Sequence, residues 1–209
     1  MTATRYHHGN LREARAQAAV EAAREHGPDG LAIRELARRV GVSHNAAYRH
    51  FADREALVDV VAQVAMQGLT DAMARRQDDV DRTAPDDVPP SPQERARARL
   101  RATGLGYVDY ALAEPGLFRV LFTAYPEAPD ATPDADDPFG RLNLALDEMV
   151  EVGALDPARR PGAEIACWSA VHGFSMLLLE GPLRGLDPDT RTACLDVLLD
   201  TLDRGHPAA

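Results

Sequence analysis

The sequence predicts an all-α protein, and three observations carry that prediction. Apolar residues recur at three- and four-residue spacing through segment after segment. Capping residues, prolines and glycines mark where those segments start and stop. No alternating apolar–polar run competes as a strand, and there is no internal repeat. At 209 residues the chain has room for one or two domains with a proper core.

The first helix is expected to begin at Asn10, whose side chain can cap, with Glu13 completing a capping box. It stops near His26, ahead of Gly27-Pro28. A second helix starts near Ala32. Its Ile33, Leu36, Ala37 and Val40 fall at i, i+3, i+4 and i+7, so one face is apolar. Gly41 ends it, and Ser43 caps a short third helix over about 44–50, anchored by Ala47 and Phe51. Asp53 caps a fourth helix whose Leu57, Val60, Val61, Val64, Leu69 and Met73 keep helical spacing to about residue 78. At 1.5 Å per residue it spans roughly 35 Å, enough to connect two domains.

A linker rich in proline and aspartate is expected from Asp78 to Pro90. Ser91-Pro92-Gln93-Glu94 is a helix start, with a cap, a proline at the first helical position and a glutamate to close the box. That helix carries Leu100, Leu105, Val108 and Leu112 to about Ala113, where Glu114-Pro115-Gly116 breaks it. Leu117 to Phe122 form a short apolar helix, and Tyr125 to Pro138 read as an exposed loop. Helices near 139–152, 162–180 and 189–203 complete the chain. The penultimate one is apolar nearly all round. The last places Leu195, Leu198, Leu199 and Leu202 in a stripe.

The net charge of −10 argues at first against nucleic acid, but its distribution matters more. Residues 1–60 hold nine arginines against eight acids, and five of the seven histidines. The acidic excess belongs to the remainder. A DNA-facing surface must therefore come from local clustering of Arg12, Arg38, Arg39, Arg49 and Arg54. No apolar run of about 18 residues offers a membrane span, so no membrane partner is expected. The basic N-terminus lacks the apolar stretch of a secretory signal. Two cysteines, Cys167 and Cys194, make no disulfide framework, which points to a reduced, cytoplasmic protein.

Two helices joined by a glycine-containing turn, the second polar and basic, form the arrangement by which a helix-turn-helix enters the DNA major groove. Double-stranded DNA is the expected partner. Ser43, His44 and Asn45 open the third helix and can reach base edges, Asn45 to adenine and His44 to guanine. Tyr48, His50 and Arg54 suit phosphates, with Arg49 exposed beside them. The competing reading of these residues is an ordinary solvated helix face. The tail Arg5-Tyr6-His7-His8 could lie along the minor groove or could be simple disorder.

The runs Arg34-Glu35-Leu36-Ala37, Val40-Gly41-Val42-Ser43, Tyr48-Arg49-His50-Phe51 and Arg54-Glu55-Ala56-Leu57 together resemble the DNA-binding domain of the TetR family of bacterial transcriptional regulators. Ala32 departs from that family, which usually has serine or threonine at this cap; such a loss costs about 1 kcal/mol. Downstream, Trp168, His172 and Gly173 resemble the tryptophan, histidine-glycine signature of one TetR C-terminal subgroup, whose members also begin much like Tyr6 to Ala14. By this resemblance Tyr48 and Arg54 occupy positions that often hold the DNA backbone. It further implies a homodimer built by the last two long helices as a four-helix bundle. Leu178, Leu195, Leu198 and Leu202 are its expected interface residues.

Trp168 and His172 lie one helical turn apart and share a face. They are read either as packed core with a hydrogen-bonded histidine, or as the wall of a ligand cavity with Tyr107, Phe118, Phe122, Met149 and Met176. Aromatic walls with one titratable group suit a small, largely apolar effector bearing a polar head. The acids Asp134, Asp136 and Asp137 lack the ordering of a calcium loop, and no zinc spacing exists, so no metal is expected. Phosphate-loop, nucleophile-elbow and zinc-protease motifs are also missing, so no cofactor and no catalytic residue are expected.

The resulting expectation is an N-terminal three-helix bundle with a helix-turn-helix, about 1–53, and a C-terminal ligand-binding and dimerisation bundle, 54–209, joined by the helix over about 54–78. The function is that of a repressor which leaves a palindromic operator when its effector binds. Three alternatives stay open: an effector-independent DNA binder, an enzyme with a site around Trp168 and His172, and a protein-interaction module.

Overall fold

The computed structural model of the protein describes residues 16–32, 54–83, 89–124 and 135–205. Among them every regular element is helical. We label these α1 (residues 16–26), α2 (Arg54–Arg82), α3 (Pro92–Ala113), α4 (Pro115–Ala124), α5 (Pro138–Glu151), α6 (Ala163–Leu179) and α7 (Pro188–Gly205). The predicted second and third helices, and the expected caps Asn10 and Asp53, lie outside the described residues.

The chain divides into two compact units, one over 1–66 with 114–128, the other over 67–113 with 129–209. In the first, α1 ends where predicted. Gly27, with φ of +60°, leads into a 3-10 turn over Gly27–Leu31. There α4 begins directly against the end of α1. A Cβ on Gly116 would stand 2.1 Å from the Ala23 carbonyl oxygen, so only glycine allows this approach. Arg24 of α1 reaches Glu114 at 3.2 Å beside the same contact. Phe118, Leu117, Val120 and Leu121 fill the interior of this unit.

The predicted break at Glu114-Pro115-Gly116 is narrower than expected. Only Glu114 is non-helical, because Pro115 serves as the first residue of α4, where its missing N–H is not needed. Helix α2 likewise runs four residues past the predicted end. Within that stretch Arg82 pairs with Asp79 one turn back, at 2.5 Å, and Arg99 of α3 reaches Asp81 at 2.6 Å. Side-chain pairing thus carries the helix into what composition alone reads as linker.

In the second unit α3 is the central helix. Its start is built as the sequence predicts: Glu94 N–H donates to the Ser91 hydroxyl, and the Glu94 carboxylate accepts from Ser91 N–H at 2.8 Å. One side of α3 packs on α2 through a buried bond from Gln77 to Thr103 at 2.9 Å. Another meets α5 and α6 around Ala96, Leu142, Leu146, Met149, Ala163 and Cys167. On the α7 side, Arg97 bonds Asp203, and Arg101 spans Asp196 and Asp200 at 2.5 and 2.7 Å. Of the predicted leucine stripe of α7, Leu195 and Leu199 turn inward at 6% and 5% exposure, while Leu198 and Leu202 are half-buried.

Asp137, weighed in the sequence as one acid of a metal cluster, instead caps α5 by accepting from Gly140 N–H at 2.7 Å. Among the described residues no group of acids, histidines or cysteines is placed to hold a metal, and no helix is long and apolar enough to cross a membrane.

Candidate effector site and DNA-binding segment

Helices α3 and α6 bring three of the singled-out side chains together. Trp168 donates its indole N–H to the Tyr107 hydroxyl at 3.2 Å, and that hydroxyl lies 2.9 Å from Nδ1 of His172. The helical repeat explains the convergence: Trp168 and His172 stand four residues apart on α6 and face the same turn of α3. The rings meet edge to face, with centroids 6.4 Å apart for both Tyr107–His172 and Trp168–His172.

Sequence reasoning missed the fourth aromatic. Phe139, in the first turn of α5, packs edge to face on Trp168 at 5.5 Å. Its apolar ring directly after Pro138 is the available signal, hidden because the sequence from Tyr125 to Pro138 reads as loop.

Both titratable members are held neutral near neutral pH. Burial pushes the Tyr107 phenol far above its ordinary value of 10.0, an effect the Trp168 N–H only partly offsets. Burial lowers the His172 imidazole below 6.5. Tyr107 donating to an unprotonated Nδ1 fits this state and leaves the imidazole proton on Nε2. The centre is therefore a neutral, dipolar cluster in an apolar setting, suited to orienting a ligand's polar group.

The other expected pocket residues are distributed differently. Met149 is fully buried in the α3–α5–α6 core against which Trp168 packs. Met176 lies one turn beyond His172 and is half-buried. Phe118 and Phe122 belong to the first unit, stacked edge to face at 4.9 Å. Cys167 and Cys194 are both free thiols. Burial raises Cys167 to about 11, which keeps it protonated and unreactive. Cys194 is exposed on α7.

The expected DNA-contacting residues Ser43, His44, Asn45, Tyr48, Arg49 and His50 lie outside the described residues. Arg54 is the first residue of α2.

Two family models match the chain. Residues 17–61 match bacterial regulatory proteins of the tetR family, and residues 100–202 match the tetracyclin repressor-like C-terminal domain. The tetracycline repressor protein class A from transposon 1721 of Escherichia coli is 39% identical over 64 residues, a match that spans 30% of either protein. A protein of unknown function from Rhodococcus sp. RHA1 is 30% identical, with a TM-score of 0.67 over 98% of this chain and all of that one. The TetR structure from Acinetobacter baumannii AYE, 22% identical, shares the fold at a TM-score of 0.57 over 91% of this chain and 93% of its own. The chain belongs to the TetR family, a family of DNA-binding transcriptional regulators.

Proposed function

We propose that this protein is a ligand-responsive repressor that binds a palindromic operator as a homodimer and leaves it when a small, largely apolar effector binds. The observation that carries the reading is the match over residues 17–61, which contains the whole segment from Leu31 to Leu57. Residues 1–53 form the DNA-binding domain and 54–209 the effector and dimerisation domain, with α2 connecting them. Ser43, His44 and Asn45 reach base edges, while Tyr48, Arg49, His50 and Arg54 hold phosphates.

The effector reading is supported by the Tyr107–His172–Trp168 cluster, a neutral polar group set among aromatic and aliphatic side chains. A two-fold pairing through α6 and α7 presents two recognition helices about one DNA turn apart. The effector favours a dimer in which that spacing is lost, and the shift cannot exceed its differential affinity for the two states.

The direct test is binding of purified protein to the DNA flanking its own gene, at two salt concentrations and with nonspecific competitor. Specific binding to a palindrome that weakens with salt is the expected result. Salt-insensitive or absent binding across the flanking region would overturn the reading.

A further inference from the structure

We propose that Arg141 of α5 is an unneutralised cation that takes a ligand's carboxylate, which makes the effector a small organic acid with an apolar body. The proposal rests on the effector reading above and names the chemical class of the ligand.

Four half-buried arginines of this unit end on carboxylates. Arg97 reaches Asp203, Arg99 reaches Asp81 and Glu148, Arg101 reaches Asp196 and Asp200, and Arg160 reaches Asp147 and Glu164. Arg141 is half-buried as well, yet both its hydrogen bonds end on neutral oxygens. Nη1 donates to Oε1 of Gln77 at 3.0 Å, and Nη2 donates to the Ala135 carbonyl at 2.9 Å. Among the described residues no carboxylate pairs with it, and its Nε is buried without an acceptor.

The acids that share its surroundings are spent elsewhere. Asp137, one turn before Arg141, caps α5 by accepting from Gly140 N–H at 2.7 Å. Glu148, two turns beyond Arg141, and Asp81, one turn beyond Gln77, both serve Arg99. A buried N–H that has given up water without gaining an acceptor costs stability. A carboxylate supplies what is missing. Nε and Nη2 form one edge of the planar guanidinium, and that edge matches the two oxygens of a carboxylate. Turning the long side chain about its outer bonds presents this covered edge to a ligand.

The surroundings favour an organic acid over an inorganic anion. Gln77, which accepts from Arg141, itself donates to Thr103 of α3 at 2.9 Å. Thr103 and Tyr107 are four residues apart and share a side of α3, separated by a rise of about 6 Å. Phe139, two residues before Arg141, packs on Trp168 of the same aromatic cluster. The cation thus stands about one helical turn from the Tyr107–His172–Trp168 centre, so one small molecule can engage both. On a chain of net charge −10 the bulk field repels anions, and a local uncompensated guanidinium is what an acid-binding site here requires.

The test compares octanoate and benzoate with their neutral counterparts octanamide and benzamide on the full chain. Binding is read by the fluorescence of Trp168, the only tryptophan, and by the melting temperature. At least one acid is expected to bind at least about tenfold more tightly than its amide, as loss of a charge-assisted pair implies. Arg141→Gln is expected to remove that difference. Arg141→Lys keeps the charge but not the two-pronged edge, and should bind the acid more weakly than the wild type and the amide equally well. Binding of neither acid, an amide that binds as tightly as its acid, or a preference that survives in Arg141→Gln overturns the proposal. If Arg141→Gln does not fold, the wild-type comparison and Arg141→Lys decide it. Operator release is scored separately. An acid that binds through Arg141 without releasing DNA keeps the acid site and overturns the effector reading. Release by an uncharged ligand that Arg141→Gln still binds keeps the effector reading and overturns this proposal.

Discussion

Nδ1 of His172 lies 2.9 Å from the hydroxyl of Tyr107, a side chain only 4% exposed on the neighbouring helix. Because the same hydroxyl accepts the Trp168 indole N–H, one phenolic oxygen ties two residues of α6 to α3. Tyr107→Phe keeps the ring and removes both bonds. The expected cost is about 1 kcal/mol for each bond lost, read as a lower midpoint in chemical denaturation. Trp168 is the only tryptophan of the chain, so intrinsic fluorescence reports this cluster alone. The folded variant should show an altered emission maximum; an unchanged spectrum and midpoint would mean the hydroxyl contributes nothing.

The lowered pKa of His172 makes stability depend on pH, with a definite sign. Burial disfavours the charged imidazole in the folded chain, so the unfolded chain takes up the proton first, near 6.5. Stability from this group is therefore full above that value and is lost as pH falls through the lower folded pKa. Denaturation midpoints at pH 7.5 and 5.5 should fall further for the wild type than for His172→Asn. Equal falls would assign the acid sensitivity to the carboxylates.

Much of this architecture is legible in the residues themselves. Ser91 and Glu94 announce the start of α3, and the Trp168–His172 spacing announces a shared face, because both are local patterns. What depends on distant partners is not legible. The end of α2 depends on Arg99 reaching Asp81 from another helix. The leucine stripe of α7 is visible, but whether Leu195 faces its own chain or a second one depends on where α3 lies. Phe139 joins Trp168 only through the docking of α5, and no spacing within either helix encodes that contact.

Arg97 is the most consequential of the α3 arginines. It bonds Asp203 and also donates to the Ala154 carbonyl at 2.8 Å, and its side chain is 27% exposed. Among the described residues Arg101, paired with two half-exposed acids, makes only side-chain pairs. Arg97→Ala should therefore destabilise by about 1.5–3 kcal/mol, as loss of a charged donor to a carbonyl does. Arg101→Ala should cost about 0.2–1 kcal/mol and less at high salt. Thermal melts of the two variants at low and high salt would separate them, and equal losses would refute the distinction.

Tyr48→Ala tests the recognition surface without touching the effector domain. On the proposed reading the tyrosine hydroxyl holds a phosphate, a contact that positions the short helix carrying His44 and Asn45 without reading sequence itself. Its removal should weaken binding to specific and nonspecific DNA alike, by about tenfold for a contact worth 1–1.5 kcal/mol. The slope of affinity against salt should stay near its wild-type value, because a neutral phenol displaces no counterion. Arg54→Ala should instead lower that slope by about one unit. Asn45→Ala should act differently from both, costing affinity at one operator position while leaving nonspecific binding intact. If Tyr48→Ala binds operator as tightly as the wild type, with its melt unchanged, the recognition surface lies elsewhere than on the segment from Ser43 to Arg54.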